Sequence, residues 1–273
     1  MSSSLFSPPP SGIYEFTEVL TFHFSDIAVP PALSNENTTV GKVWASTLKM
    51  YLELEQTGIV YWSLVHGYPQ RAKLFIDWKT DLGREKFESS TELENIRMAW
   101  NSVTSAPVHS VIYRLPWGGH RGHPGLHSSY DTVSTFITFN FSINLTIEDK
   151  EKLGGLLSQF ARSVLQSPGG VVSSYCTTGW EVNSTSCCGI FRYIGIQELQ
   201  SFLQQSQIFE ELRSLAMNGT EVEFMEVRCY DHGWQGSVDK TYPENPGSGA
   251  FFANIRELGQ EIGPREPGRP MLG

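Results

Sequence analysis

Val19-Leu-Thr-Phe-His-Phe-Ser25 and Thr135-Phe-Ile-Thr-Phe-Asn-Phe-Ser142 are the two stretches whose reading decides the fold. Each alternates at the two-residue period of a strand that buries one face. Leu20, Phe22 and Phe24 share a face in the first, and Ile137, Phe139 and Phe141 share one in the second. His23 and Asn140 hold matching positions on the opposite face, which predicts a buried polar pair across a pseudo-twofold.

Both stretches lead into the same order of elements. After the first, Val40, Val43, Trp44, Thr47, Leu48, Tyr51 and Leu52 recur at helical spacing. Gly58 ends that helix and opens a strand over Ile59–His66, and Gly67-Tyr-Pro turns the chain into a third strand, Ala72–Trp78. A helical stretch from Leu82 to Trp100 breaks near Ser89-Ser90, and Val108–Leu115 is the fourth strand. After the second stretch, Leu153, Leu156, Leu157, Phe160 and Val164 mark a helix. Strands are expected at Val171–Thr178 and Gly189–Ile194, one helix over Leu199–Leu215, and a closing strand over Glu221–Tyr230. Gly58-Ile-Val and Gly170-Val-Val each lead to a second glycine nine positions on, Gly67 and Gly179, which suggests a shared signature.

The chain therefore divides into a Ser/Pro-rich start (1–12), a first βαββαβ half (13–116), a Gly/His-rich linker (117–133), a second half (134–234) and a tail (235–273) rich in Gly, Pro and charge. A βαββαβ unit carries both helices on one face of an antiparallel sheet and leaves the other face bare. Two such sheets closed on each other solve that problem within one α+β chain.

Bulk properties agree with a packed protein. Of 273 residues 40% are hydrophobic and only 18% charged, which excludes disorder throughout. A net charge of −9 leaves no basic surplus for phosphates, so no nucleic-acid partner is expected. No apolar run approaches the roughly 18 residues a bilayer span needs, and the start lacks the pattern of a signal peptide. A cytoplasmic protein is expected, with the sequons at Asn37, Asn140, Asn144, Asn183 and Asn218 unused. Cys176, Cys187, Cys188 and Cys229 lack zinc-site spacing and read as buried thiols.

Val60-Tyr-Trp-Ser and Leu74-Phe-Ile-Asp-Trp-Lys, followed by Phe87-Glu-Ser-Ser, resemble the antibiotic-biosynthesis-monooxygenase and stress-responsive branches of the dimeric α+β barrel superfamily. The resemblance covers residues 15–116 and, more faintly, 134–230. It implies two tandem ferredoxin-like units in a single-chain form of that barrel, as a monomer or homodimer. It also implies a substrate pocket between the sheet and its own helices. The superfamily spans cofactor-free monooxygenases of aromatic polyketides, cyclases, isomerases, decarboxylases and some haem enzymes, so the fold does not name the reaction.

On that helix-side face strand parity places Phe22 and Phe24, then Val60, Trp62, Leu64 and His66, then Ala72, Leu74, Ile76 and Trp78. Similarity to the family's closing strand adds His109, Val111 and Tyr113. His66, His109 and Tyr113 are the candidate acid–base and anchoring groups. Phe22, Phe24, Trp62, Leu64, Trp78 and Trp100 are the candidate substrate walls, each also readable as core. Arg192, interrupting an apolar strand, is a candidate for an anionic or carbonyl group, with an ion pair to Glu223 as the structural alternative. His120, His123 and His127 have spacing open to a metal but no flanking ligands, so no metal is expected. Nucleotide, phosphate-loop, serine-elbow and HExxH motifs are missing, so no cofactor is expected. The expectation is a cofactor-independent enzyme tailoring a hydrophobic polyketide or terpenoid by cyclisation, isomerisation or pericyclic rearrangement. A cofactor-free monooxygenase is the first alternative and a non-catalytic binding or stress-response barrel the second.

Overall fold

The computed structural model describes residues 16–25, 33, 35–115, 126, 133–141, 145–169, 176–181, 186–216, 218–225 and 228–230. The first half runs β1 (Phe16–His23), α1 (Thr39–Glu53), β2 (Thr57–Val65), β3 (Tyr68–Trp78), α2 (Asp81–Glu88), α3 (Thr91–Asn101) and β4 (His109–Arg114). The second runs β5 (Val133–Asn140), α4 (Ile147–Gln166), β6 (Cys176–Glu181), β7 (Ser186–Tyr193), α5 (Ile196–Gln205), α6 (Gln207–Leu215), β8 (Thr220–Met225) and β9 (Arg228–Tyr230).

Local chemistry explains the helix boundaries. Thr38, Thr80 and Ser90 each accept a backbone N–H three residues on, from Gly41, Gly83 and Leu93. The Ser89-Ser90 break is thus the N-cap of α3. The expected single helix over Leu199–Leu215 is instead two, because the Ser206 hydroxyl accepts from Phe209 N–H and starts α6. Thr146 and Asp149 form a reciprocal capping box at α4.

Strand order is β3-β1-β4-β6-β7-β5-β8-β2, with β9 on β2, and β2 pairs back onto β3, so the sheet closes. Each half has the strand order of a βαββαβ unit, β4-β1-β3-β2 and β8-β5-β7-β6. The halves join where β4 meets β6 and where β8 and β9 meet β2. This is the single-chain α+β barrel built from two ferredoxin-like units.

The register aligns the halves. His23 faces Arg71 across β1/β3, and Asn140 faces Ser186 across β5/β7. Carried along the ladders, Lys73 then matches Cys188, Val111 matches Glu223, and Tyr113 matches Met225. The glycine signature does not survive this alignment. Gly67 lies in the β2–β3 turn at φ +79°, where a Cβ is disfavoured. Gly179 lies inside β6, paired with Cys188.

Among the described residues three apolar clusters result. Between the first half's helices and sheet lie Phe22, Trp44, Trp62, Trp78, Phe87 and Trp100 with their neighbours. Between the second half's helices and sheet lie Phe139, Phe141, Phe160, Phe191 and Phe209 with theirs. Inside the barrel, Val19, Ile59, Tyr61, Phe75, Tyr113, Phe136, Cys188, Ile190 and Met225 meet. Cys187 and Cys188 are buried thiols on opposite sheet faces, in the second-half helix core and the barrel core respectively. Among the described residues no helix is long and apolar enough to cross a membrane.

Candidate functional site

The expected helix-side pocket is occupied by the protein's own rings. Phe22 of β1 stands edge-on to Trp44 of α1 at 5.2 Å and to Trp100 of α3 at 5.3 Å. Trp62 of β2 meets Trp44 at 5.3 Å. These are direct contacts between sheet and helix, so no guest layer fits between them. Phe22, Phe24, Trp62, Trp78 and Trp100 keep at most 4% of their surface, and Leu64 is partly buried beside them. Two of the indoles are hydrogen-bonded: Trp100 Nε1–H donates to Thr47 (2.8 Å) and Trp78 Nε1–H to Glu18 (2.9 Å). All six candidate wall residues are therefore core, which corrects the pocket expectation.

The acid–base candidates separate. His66 is exposed in the β2–β3 turn, its backbone N–H donating to Phe224 O at 2.8 Å, and does not reach any strand face. His109 and Tyr113 point into the barrel rather than toward the helices, because they register with Thr21 and Thr17 of β1. Ser110 and Ile112 take the helix side instead. Arg192 is buried on the barrel side of β7. Glu223, its suggested partner, is engaged by Arg71 and Lys73. His120, His123 and His127, the 117–133 linker's histidines, lie outside the described residues. Among the described residues no cluster of His, Cys, Asp or Glu could hold a metal.

A hollow lies inside the barrel instead. A cavity of about 390 Å3 is lined by residues of both halves. Val19, Val111, Tyr113 and Phe136 form an apolar floor. His23, Arg71, Lys73, His109, Asn140, Glu181, Ser186, Glu221 and Glu223 form polar walls and a rim. His23 and Asn140, the pair read from sequence, both border it.

The walls are charged and cross-linked between halves. Glu223 from β8 is buried and takes Arg71 Nη1 on one oxygen and Lys73 Nζ on the other, each at 3.0 Å. Lys73 also donates to Thr21 Oγ1 (3.0 Å) and lies 5.0 Å from the Phe136 ring centroid. Ser186 donates to Glu181 at 2.6 Å. Burial pushes the Tyr113 phenol well above its ordinary pKa, against its hydrogen bonding with Ser186 and Thr138, so it stays a protonated donor. The half-buried His23 is shifted the other way. Burial lowers its pKa and the Arg71 and Lys73 cations lower it further, outweighing Glu223 and Glu221, so the imidazole is neutral at neutral pH.

The chamber thus has a neutral imidazole, two cations and a phenol along its lining, a set able to accept a proton, stabilise the resulting anion and donate a hydrogen bond. Arg71, Lys73 and Glu223 were not singled out from sequence as site residues. Their signal was there: Arg71, Lys73 and Asp77 alternate on one face of an otherwise apolar strand.

No family model and no curated protein matches the chain. Solved structures do match in fold. An anthrone oxidase-like protein aligns with 82% of this chain and 96% of its own at TM-score 0.59 and 12% identity. A protein assigned as a monooxygenase from Fusobacterium nucleatum aligns over the same shares, 82% and 96%, at TM-score 0.51 and 7% identity. Each match is wide enough to span both halves. The fold is the one these structures share, the α+β barrel that the sequence resemblance implied.

Proposed function

We propose that the chain is a cofactor-independent monooxygenase that works on a small, enolisable or phenolic organic substrate inside the barrel. The single observation that carries this reading is the chamber itself, which His23, Arg71, Lys73 and Tyr113 all line. His23, neutral by its lowered pKa, takes a proton from an acidic C–H of the substrate. Arg71 stabilises the anion, and Tyr113 donates to its oxygen. The electron-rich carbanion reduces dioxygen and forms a C–O bond to it. Loss of water from the hydroperoxide leaves a carbonyl, so a CH2 and O2 become C=O and H2O without an external reductant. The names of the two structural neighbours favour oxygenation over the non-redox route.

A second reading keeps the same chamber for a non-redox cyclisation, isomerisation or pericyclic closure of a polyketide or terpenoid. Tyr113 favours it, since a phenol held protonated can polarise a carbonyl with no need of oxygen. The chain closes its own barrel, so a monomer suffices for either reading. Oxygen-electrode measurements with candidate anthrone- and phenol-type substrates separate them. Stoichiometric uptake, with one atom of labelled dioxygen in the product, is expected. His23→Gln should lower turnover by about 10²- to 10⁴-fold, the usual range for a lost general base. Product without oxygen uptake selects the second reading. Tight binding with no turnover selects a non-catalytic binding barrel and removes both.

A further inference from the structure

The polar chamber departs from the hydrophobic guest expected of a helix-side pocket, and its charges specify what it takes. Glu223 is shared by two cations, so the Arg71–Lys73 pair carries one positive charge beyond that carboxylate, while Glu181 and Glu221 line the chamber elsewhere. Lys73 is consumed: its ammonium meets Glu223, Thr21 and the Phe136 ring. Arg71 is not. Its Nη1 donates to Glu223 and its guanidinium lies over Tyr68, while among the described residues its other N–H groups have no protein acceptor. At the rim, 28% exposed, it presents an unfilled planar fork of the kind that grips a carboxylate. The field sensed by His23 agrees, since the cations there outweigh Glu221 and Glu223.

The rest of the chamber sets the other end of the ligand. Phe136, Val19 and Val111 offer an apolar floor for a flat ring, and Tyr113 and Glu181, neighbours in register, offer partners for a hydroxyl. A cavity of about 390 Å3 lies at the small end of the roughly 300–1,000 Å3 range of small-molecule pockets, which suits a one-ring ligand.

Building on the reading of the chamber as the working site, we infer that its ligand is a single-ring hydroxylated aromatic acid bound as the monoanion, with the carboxylate on Arg71 and a hydroxyl at Tyr113 and Glu181. Calorimetric titration of the full chain with 2,4-dihydroxybenzoate and with its methyl ester tests this. The acid should bind at least about tenfold more tightly than the ester, the margin of one charge-assisted contact. Arg71→Gln should abolish that margin without weakening the ester, and Arg71→Lys should restore part of it. Should Arg71→Gln not fold, the wild-type protein still decides: NMR titration of His23 should show its pKa raised by the acid and not by the ester. Equal binding of acid and ester, a margin that survives Arg71→Gln, or no binding of either probe at millimolar concentration overturns the assignment. The two readings fail separately. Acid-selective binding without oxygen consumption by any substrate leaves the ligand class standing and removes the oxygenase. Oxygen consumption with neutral substrates alone does the reverse.

Discussion

The two faces of the closed sheet do opposite work. On the helix side of the first half, four tryptophans interlock with Phe22, Phe24 and Phe87 until sheet and helix rings touch. On the barrel side the same strands, one residue out of phase, carry Thr21, His23, Arg71 and Lys73 into a cavity. Parity alone separates a dry core from a charged chamber. The lesson is that an aromatic strand face marks the place where a fold is held, while the polar residues between the rings mark the place where a small molecule enters.

The sharpest break of this contrast is Trp44→Ala. Trp44 touches Phe22, Phe24 and Trp62, and its loss should cost about 3–5 kcal/mol by the usual cost of a buried aromatic truncation. Urea unfolding measures it, and a cost below that of a surface substitution would mean the ring cluster is not the core. Glu223→Gln comes next. It leaves Lys73 buried beside a neutral amide, with an expected loss of about 1–3 kcal/mol, reduced from the buried-pair range because Arg71 is partly exposed to solvent. The same variant should lower the His23 pKa further, since Glu223 raises it. An unchanged His23 titration would detach the two groups.

A smaller effect concerns pH. The folded pKa of His23 lies below the ordinary 6.5, so between those two values the unfolded chain binds a proton the folded chain does not. His23 therefore leaves stability untouched above about 6.5 and erodes it as pH falls through that window, levelling off below the folded value. His23→Gln should flatten that slope in denaturation midpoints measured across the window. Last, His66→Ala should change stability by less than about 0.5 kcal/mol and leave turnover intact, since the residue sits in an exposed turn. A large loss of turnover there would return chemistry to the β2 end of the helix side.

The tandem barrel was legible because β1 and β5 alternate strictly, and because the Ser89-Ser90 break was a cap the sequence shows openly. The faces of β1, β2 and β3 followed from the same alternation. β4 did not, because His109-Ser-Val-Ile-Tyr113 has apolar side chains on both faces. Its orientation is fixed only by register with β1, a non-local fact. His66 was misplaced for a related reason: periodicity continues through Val65, and only the positive φ of Gly67 shows that the strand has already turned. The chamber's charges were hidden by distance. Glu223 lies 152 residues from Arg71, and nothing in either local pattern pairs them.

Fusing the halves has a further result. In an assembly of two identical chains every interior side chain recurs across the axis. Here Lys73 has Cys188 as its counterpart, Val111 has Glu223, and Tyr113 has Met225. One covalent thread lets acid and base be drawn from different repeats, so the lumen acquires a direction: a bound molecule meets a left and a right, and enters one way round.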